Sequence, residues 1–200
     1  MRQRFTTALC AMVVLVGNAE WMHAAEPYTV DMNHSQVGFK VKHMGVATVR
    51  GEFTAFTVEL MVDESDITRS SVVLRIDADS VDTDNERRDN HLRSGDFLEV
   101  DTYPEIVFAS KKIDKQPDGT YKATGDLTIK DVTKEVVLDL EINGPIRDSW
   151  GNNRVGADGG VTINRQDYHV KWDSVMDNGG LVAANEVKIE FGLEATRKLE

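Results

Sequence analysis

Cysteine is nearly absent: the 200 residues contain one, Cys10. It sits in an apolar N-terminal run and follows Leu9 rather than a small residue, which makes it a poor lipid-attachment site. Beyond it the chain has no thiol, so disulfide stapling, thiolate catalysis and cysteine metal ligation are excluded. Basic residues are short as well, with 23 Lys and Arg against 34 Asp and Glu, a formal net charge of −11. That balance argues against a nucleic-acid partner, because phosphate binding needs clustered Lys and Arg. No apolar run reaches the roughly 20 residues that cross a bilayer comfortably. No internal repeat at a fixed period and no low-complexity tract is present.

Motifs for chemistry are missing too. His34, His43, His91 and His169 are scattered, with no H-x-H or H-E-x-x-H spacing, so no metal site is expected. No G-x-S-x-G elbow occurs. Gly159-Gly160 and Gly179-Gly180 lack the strand-to-helix context of a phosphate loop and read as turns. The triplet Asn33-His34-Ser35 has the N-glycosylation pattern but is short enough to arise by chance. The expectation is a protein without catalytic residues and without a cofactor.

What is present begins with a leader. Arg2 and Arg4 precede an apolar run over 8–16, followed by small residues at Gly17, Ala19, Ala24 and Ala25. A charged start, a short apolar stretch and a small-residue exit make a secretory signal peptide. Cleavage after Ala19 satisfies the small-x-small rule, whereas cleavage after Ala24 or Ala25 leaves a start just before Tyr28. Residues 1–24 are therefore assigned to the signal peptide and 25–200 to one mature domain with no membrane span; an uncleaved anchor is the alternative. An acidic, disulfide-free domain behind an arginine-led leader suits a bacterial periplasm.

From Tyr28 onward the dominant period is two, the mark of half-buried strands. Alternation runs over 35–42, 46–62 (one kinked strand or two), 71–77, 105–113, 121–129, 136–142, 155–163, 168–172 and 186–195. Asn143-Gly144-Pro145 is expected to stop the strand before it. One helix interrupts this series. Thr83 with Glu86 has the form of a capping box, Asp84 and Glu86 fall in the first turn and Arg93 in the last, and Gly95 offers a stop. Between Asp84 and Arg93 only Leu92 is strongly apolar, so this polar helix suits a lid across one end of a sheet structure. About eight antiparallel strands with short turns must fold over as a sandwich or close as a barrel. Alternation alone does not distinguish a barrel filled by its own side chains from one that holds a ligand.

Three groups of residues resemble a known family. The first is His34-Ser35 with Val37, Phe39 and Lys42-His43-Met44-Gly45. The second is Arg88-Asp89, His91-Leu92-Arg93-Ser94, Asp96-Phe97-Leu98, Val100 and Tyr103-Pro104. The third is Gly125, Leu127-Thr128-Ile129 and Val132-Thr133-Lys134, with Trp150-Gly151-Asn152, Arg154, Gly156 and Glu186-Val187-Lys188-Ile189. Together, from about Tyr28 to the end, they resemble the YceI-like family, also called polyisoprenoid-binding proteins. The resemblance implies an all-β fold, a lipocalin-like antiparallel barrel of about eight strands with one inserted polar helix. It also implies a periplasmic carrier or store whose apolar interior holds a long-chain amphiphile such as a polyisoprenoid, an isoprenoid quinone or a fatty amide. Asp131 and Glu135 stand where the family usually has Gly and Pro, which bears on the geometry of that turn.

Under this resemblance the lining falls to the inward apolar positions Val37, Phe39, Val41, Phe53, Val58, Leu74, Phe108, Leu127, Ile129, Leu138, Ile189 and Phe191. His43, Arg88, His91 and Arg93 are candidates for the head group, because cations at a barrel mouth meet a phosphate or carbonyl. The competing role for Arg88, Asp89 and His91 is to tie the helix to its neighbours, and Lys40 and Lys42 read as solvated strand-face charges. The expected partner is an isoprenoid or other long-chain lipid, with a homodimer left open. An enzyme acting on such a lipid and a secreted interaction module with a filled core are the alternatives.

Overall fold

Alternating residues form eleven strands in the computed structural model, which describes residues 24–177 and 179–198. The leader expected over 1–24 lies, but for Ala24, outside the described residues. In chain order the strands are β1 Glu26–Val30, β2 Gln36–His43, β3 Ala47–Phe53, β4 Phe56–Val62, β5 Ser71–Asp77 and β6 Val81–Asp82. The helix α1, Glu86–Arg93, follows, and then β7 Glu105–Lys115, β8 Tyr121–Ile129, β9 Val132–Arg147, β10 Asn152–Asn164 and β11 Ala183–Lys198. Every pairing is antiparallel. No helix among the described residues is long and apolar enough to cross a membrane.

Eight strands close into a barrel in the order β1-β4-β5-β7-β8-β9-β10-β11, with β11 returning to β1. Strands β2, β3 and β6 extend from β11. The ring closes because β11 is long enough to hold two partners on one edge: Ala183 to Gly192 pair with β2, and Ala195 and Thr196 with β1. Closure leaves no bare edge among the ring strands, the usual weak point of an antiparallel sheet.

Three local expectations are corrected. The helix starts at Asn85, whose side chain accepts from the Arg88 N–H at 3.0 Å, and it ends at Ser94, not on Gly95. Thr83 is instead engaged by Asp89. Strand β9 runs through Gly144-Pro145 to Arg147. It can do so because β8 begins opposite Leu140, so Pro145 faces no β8 strand that would need its missing N–H. Residues 168–172 are not a strand: Arg165–Tyr168 form a 3-10 turn and a loop follows. The long alternation over 46–62 is two strands, β3 and β4, which do not pair with each other.

One end of the barrel is plugged. Tyr28, Val62, Val155 and Ala195 form a buried cluster there. Above it Glu64 accepts from the Tyr28 hydroxyl at 2.8 Å, from Arg197 at 2.6 Å and from Asn153 at 2.7 Å. Burial, with help from the Glu64 carboxylate, pushes the Tyr28 phenol up from 10.0 to about 12. The folded chain therefore holds the phenolic proton more tightly than the unfolded chain. Stability from this group is complete below the unfolded value and is lost as pH rises from 10.0 towards about 12. Denaturant titrations across that window should show a falling midpoint, and Tyr28→Phe should reduce the fall.

Candidate functional site

The strands' inward residues surround a cavity of about 770 Å³, within the roughly 300–1,000 Å³ usual for small-molecule pockets. Val37, Phe39 and Val41 on β2, Phe53 on β3, Leu74 on β5 and Phe108 on β7 border it. So do Leu127 and Ile129 on β8, Leu138 on β9, and Ile189 and Phe191 on β11. Val58 is the exception among the expected lining residues. It lies opposite Leu74 and packs half-buried against the core without bordering the space.

The interior stays open because small residues occupy inward positions where large ones would meet. Ala123, Ala157 and Ala183 border the cavity. Three rings are accommodated against the wall by glycine on the neighbouring strand, among them Phe108, whose ring a Cβ on Gly125 would approach to 2.6 Å. A Cβ on Gly51 would come within 2.5 Å of the Phe39 ring, and one on Gly159 within 2.9 Å of the Phe191 ring. Phe39 and Gly51 are direct cross-strand partners, as are Phe191 and Gly159.

The end opposite the Tyr28 plug carries the charged lining, and α1 lies there. Asn85, Arg87, Arg88, His91 and Leu92 on or beside the helix border the cavity, with Lys42 and His43 from β2 and Trp172 from the loop before β11. The helix has little apolar surface and is held by hydrogen bonds. Arg88 donates through Nε to the Thr83 hydroxyl and through Nη2 to the Thr83 carbonyl, both at 2.7 Å. Buried Asp89 accepts from the Thr83 N–H at 3.0 Å and from its hydroxyl at 2.5 Å. His91 pairs with Asp96 at 2.9 Å and stands edge-on to Phe97 and Trp172, with ring centroids 5.0 and 5.4 Å away. Arg93 does not border the cavity. Its guanidinium donates to the carbonyls of Asp79 and Val81 at 2.7 Å, so it ties the helix to the short β6 segment. Arg88 anchors the helix, one of the two roles weighed for it, and also borders the cavity.

The charge on this lining is of one sign. Among the described residues no Asp or Glu borders the cavity, in a chain with 34 of them. Lys42, Arg87, Arg88 and Arg165 do, with His43 and His91. Among the described residues the side chains of Lys42, His43 and Arg87 find no ion-pair or hydrogen-bonding partner.

Sequence reasoning missed several of these residues. Lys42 reads as a solvated strand charge, yet it reaches the mouth, whereas Lys40 is paired with Glu190. Arg165 is 5% exposed and donates to the carbonyls of Val170 at 2.7 Å and Ala184 at 3.1 Å and to Asn185 at 3.0 Å. It clamps both ends of the loop that carries Trp172. Burial lowers its pKa, partly offset by the Asp173 charge. The period-two pattern does not mark Arg165, and it reads Trp172 as the end of an alternating strand over 168–172, whereas both residues act from outside the strands.

Among the described residues one cluster has metal-ligand chemistry, Asp31 with His34 and Glu194 on the outside of the barrel. Arg154 already pairs with Glu194 and lies 3.6 Å from Asp31, which places a cation among those carboxylates. A hydrogen bond to Asp31 raises the His34 pKa, as expected for an ion-paired surface imidazole.

A YceI-like domain profile matches residues 28–195. The chain belongs to the YceI-like family. UPF0312 protein SAS2572 of Staphylococcus aureus (strain MSSA476) is 35% identical over 168 residues, covering 84% of this chain and 95% of that protein. The crystal structure of the YceI protein of Campylobacter jejuni is similar with a TM-score of 0.69 and 31% identity, covering 87% of this chain and 99% of that one. A polyisoprenoid binding domain from Saccharophagus degradans shares the fold, with a TM-score of 0.62 at 15% identity over 84% of this chain and 97% of that one. The two departures noted from the YceI-like pattern have partners here. Asp131, in the β8–β9 turn, accepts from His169 at 3.0 Å, whereas Glu135 lies not in the turn but within β9, where it accepts from Lys111 of β7 at 3.2 Å.

The fit of Phe39 on Gly51 supplies a test. In Gly51→Ala the new methyl forces the Phe39 ring off the wall and into the cavity. Such overpacking costs about 1–3 kcal/mol. A fluorescent long-chain probe should bind more weakly while the circular dichroism of the barrel is unchanged; undiminished binding would show that Phe39 does not bound the occupied volume.

Proposed function

We propose that this protein is an exported, periplasmic carrier or store for a long-chain amphiphile, a polyisoprenoid or isoprenoid quinone, without a chemical step of its own. The observation that carries the reading is the cavity of about 770 Å³ with an apolar wall, a plugged end and a cationic mouth. An amphiphile fits that division, its tail in the apolar depth and its polar or anionic head among Lys42, His43, Arg87, Arg88 and His91. Burying a tail contributes roughly 0.8 kcal/mol per CH₂. Ten such groups give ~8 kcal/mol, the scale of micromolar binding before the costs of association. Discrimination among tails is expected to be weak, since specificity needs placed polar groups and the wall has few. The leader-like residues 1–24 support export, and a fold neighbour is itself described as a polyisoprenoid binding domain.

Native mass spectrometry of protein purified from its host should show one ligand mass that disappears on organic extraction. Ala123→Trp, which fills the deep wall, should abolish that mass with the fold retained by circular dichroism. Repeated recovery of empty wild-type protein would overturn the reading.

A further inference from the structure

The surface around the mouth sets exposed apolar side chains beside cations. The turn joining β2 to β3 closes with the Val46 N–H on the His43 carbonyl at 3.1 Å, and its central residues Met44 and Gly45 both have positive φ, 51° and 72°. Such turns favour Asn-Gly, since a left-handed φ costs other residues strain. Methionine at the first position is therefore not explained by the turn. Met44 is 43% exposed and Val46 85%.

This tip is joined to the loop before β11. The Met44 N–H donates to the Val182 carbonyl at 2.8 Å, and Val182 in turn donates to Ser174 at 2.9 Å. Next to Ser174, Val175 is 62% exposed and bridges to Leu181. Two adjoining loops thus hold apolar side chains out into water beside Lys42, His43 and Trp172, which border the cavity. The unpaired cations Lys42 and Arg87 lie at the same opening, and exposed Lys171 precedes Trp172. The loop also carries Asp173 and Asp177, so the positive charge is local to the mouth, not general to the loop.

We propose that the Met44–Val46 turn and the Val175 loop are a docking surface for an anionic lipid bilayer, which sets the cavity mouth against the membrane. This rests on the reading of the cavity as a lipid site. A long-chain amphiphile has almost no monomer in water, so transfer by contact needs the opening to face the bilayer. Exposed apolar side chains flanked by cations are the combination that inserts at an anionic interface. The occupant is the bilayer surface because the unpaired cations complement it, in a chain whose net charge of −11 would otherwise keep it away.

The test is flotation of the full mature chain with phosphatidylcholine vesicles and with vesicles containing phosphatidylglycerol. Wild-type protein should float with the anionic vesicles and less with the neutral ones, with added salt weakening the difference. Val46→Asp combined with Val175→Asp should lower the bound fraction about tenfold, the factor a modest change in interfacial free energy produces. Trp150→Asp, at the exposed tip of the β9–β10 hairpin, should leave it unchanged. Native mass spectrometry of the same double variant should still show the copurified ligand, so failure of docking and failure of the lipid-site reading are separable. Absence of wild-type flotation, equal flotation of the double variant, or loss on Trp150→Asp would overturn the proposal. So would a dimer in sedimentation that the double variant dissolves, since the covering partner would then be a second copy of this chain.

Discussion

The architecture depends on β11 being long enough to satisfy three neighbours. Along one edge it pairs with β10 without interruption from Asn152–Lys198 to Asn164–Glu186. Along the other it serves β2 first and β1 afterwards. Shortening either part would leave the ring open, exposing backbone groups and letting water into the apolar interior. A chain without disulfides relies on this hydrogen-bonded closure and on its buried side chains for stability. The cavity exists because the ring is complete.

Closure creates an interior, but side-chain size decides whether that interior is filled. The largest inward rings are placed where the adjacent strand is reduced to bare backbone, as Phe39 over Gly51 shows. Alanines at positions 123 and 157 leave space that valine or leucine would occupy. The price of this arrangement is a loss of packing contacts that a solid core would have, offset in part by the buried cluster at the plugged end.

Much of this fold was legible because each strand carries its own dry and wet faces. Val187, Ile189, Phe191 and Leu193 declare one side of β11 without reference to any partner. The inward direction of almost every proposed lining residue follows from that local property. Depth is different: Val58 alternates correctly, yet meets the core at the β4 edge instead of the void. The helix was recognisable, but its start was displaced because Thr83 and Asn85 both make plausible caps and tertiary contact with Asp89 claims the threonine. Inward Gly51, Ala123 and Ala157 were the available sign of an unfilled centre. Alternation of polarity does not weigh residue size, so it carries no trace of that sign. Arg165 gives no signal, and Trp172 alternates like a strand residue, because the roles of both arise from loop contacts between residues distant in sequence.

The way α1 is attached has a mechanical result. Its restraints are mainly hydrogen bonds, those of Arg88 and Asp89 with Thr83 and of Arg93 with Asp79 and Val81, joined by the His91 ring against Phe97 and Trp172. The strands beneath it are fastened by buried hydrocarbon, for which water is no substitute. Wall and cap are thus made with different fasteners, one set chiefly by exclusion of water and the other chiefly by direction and distance.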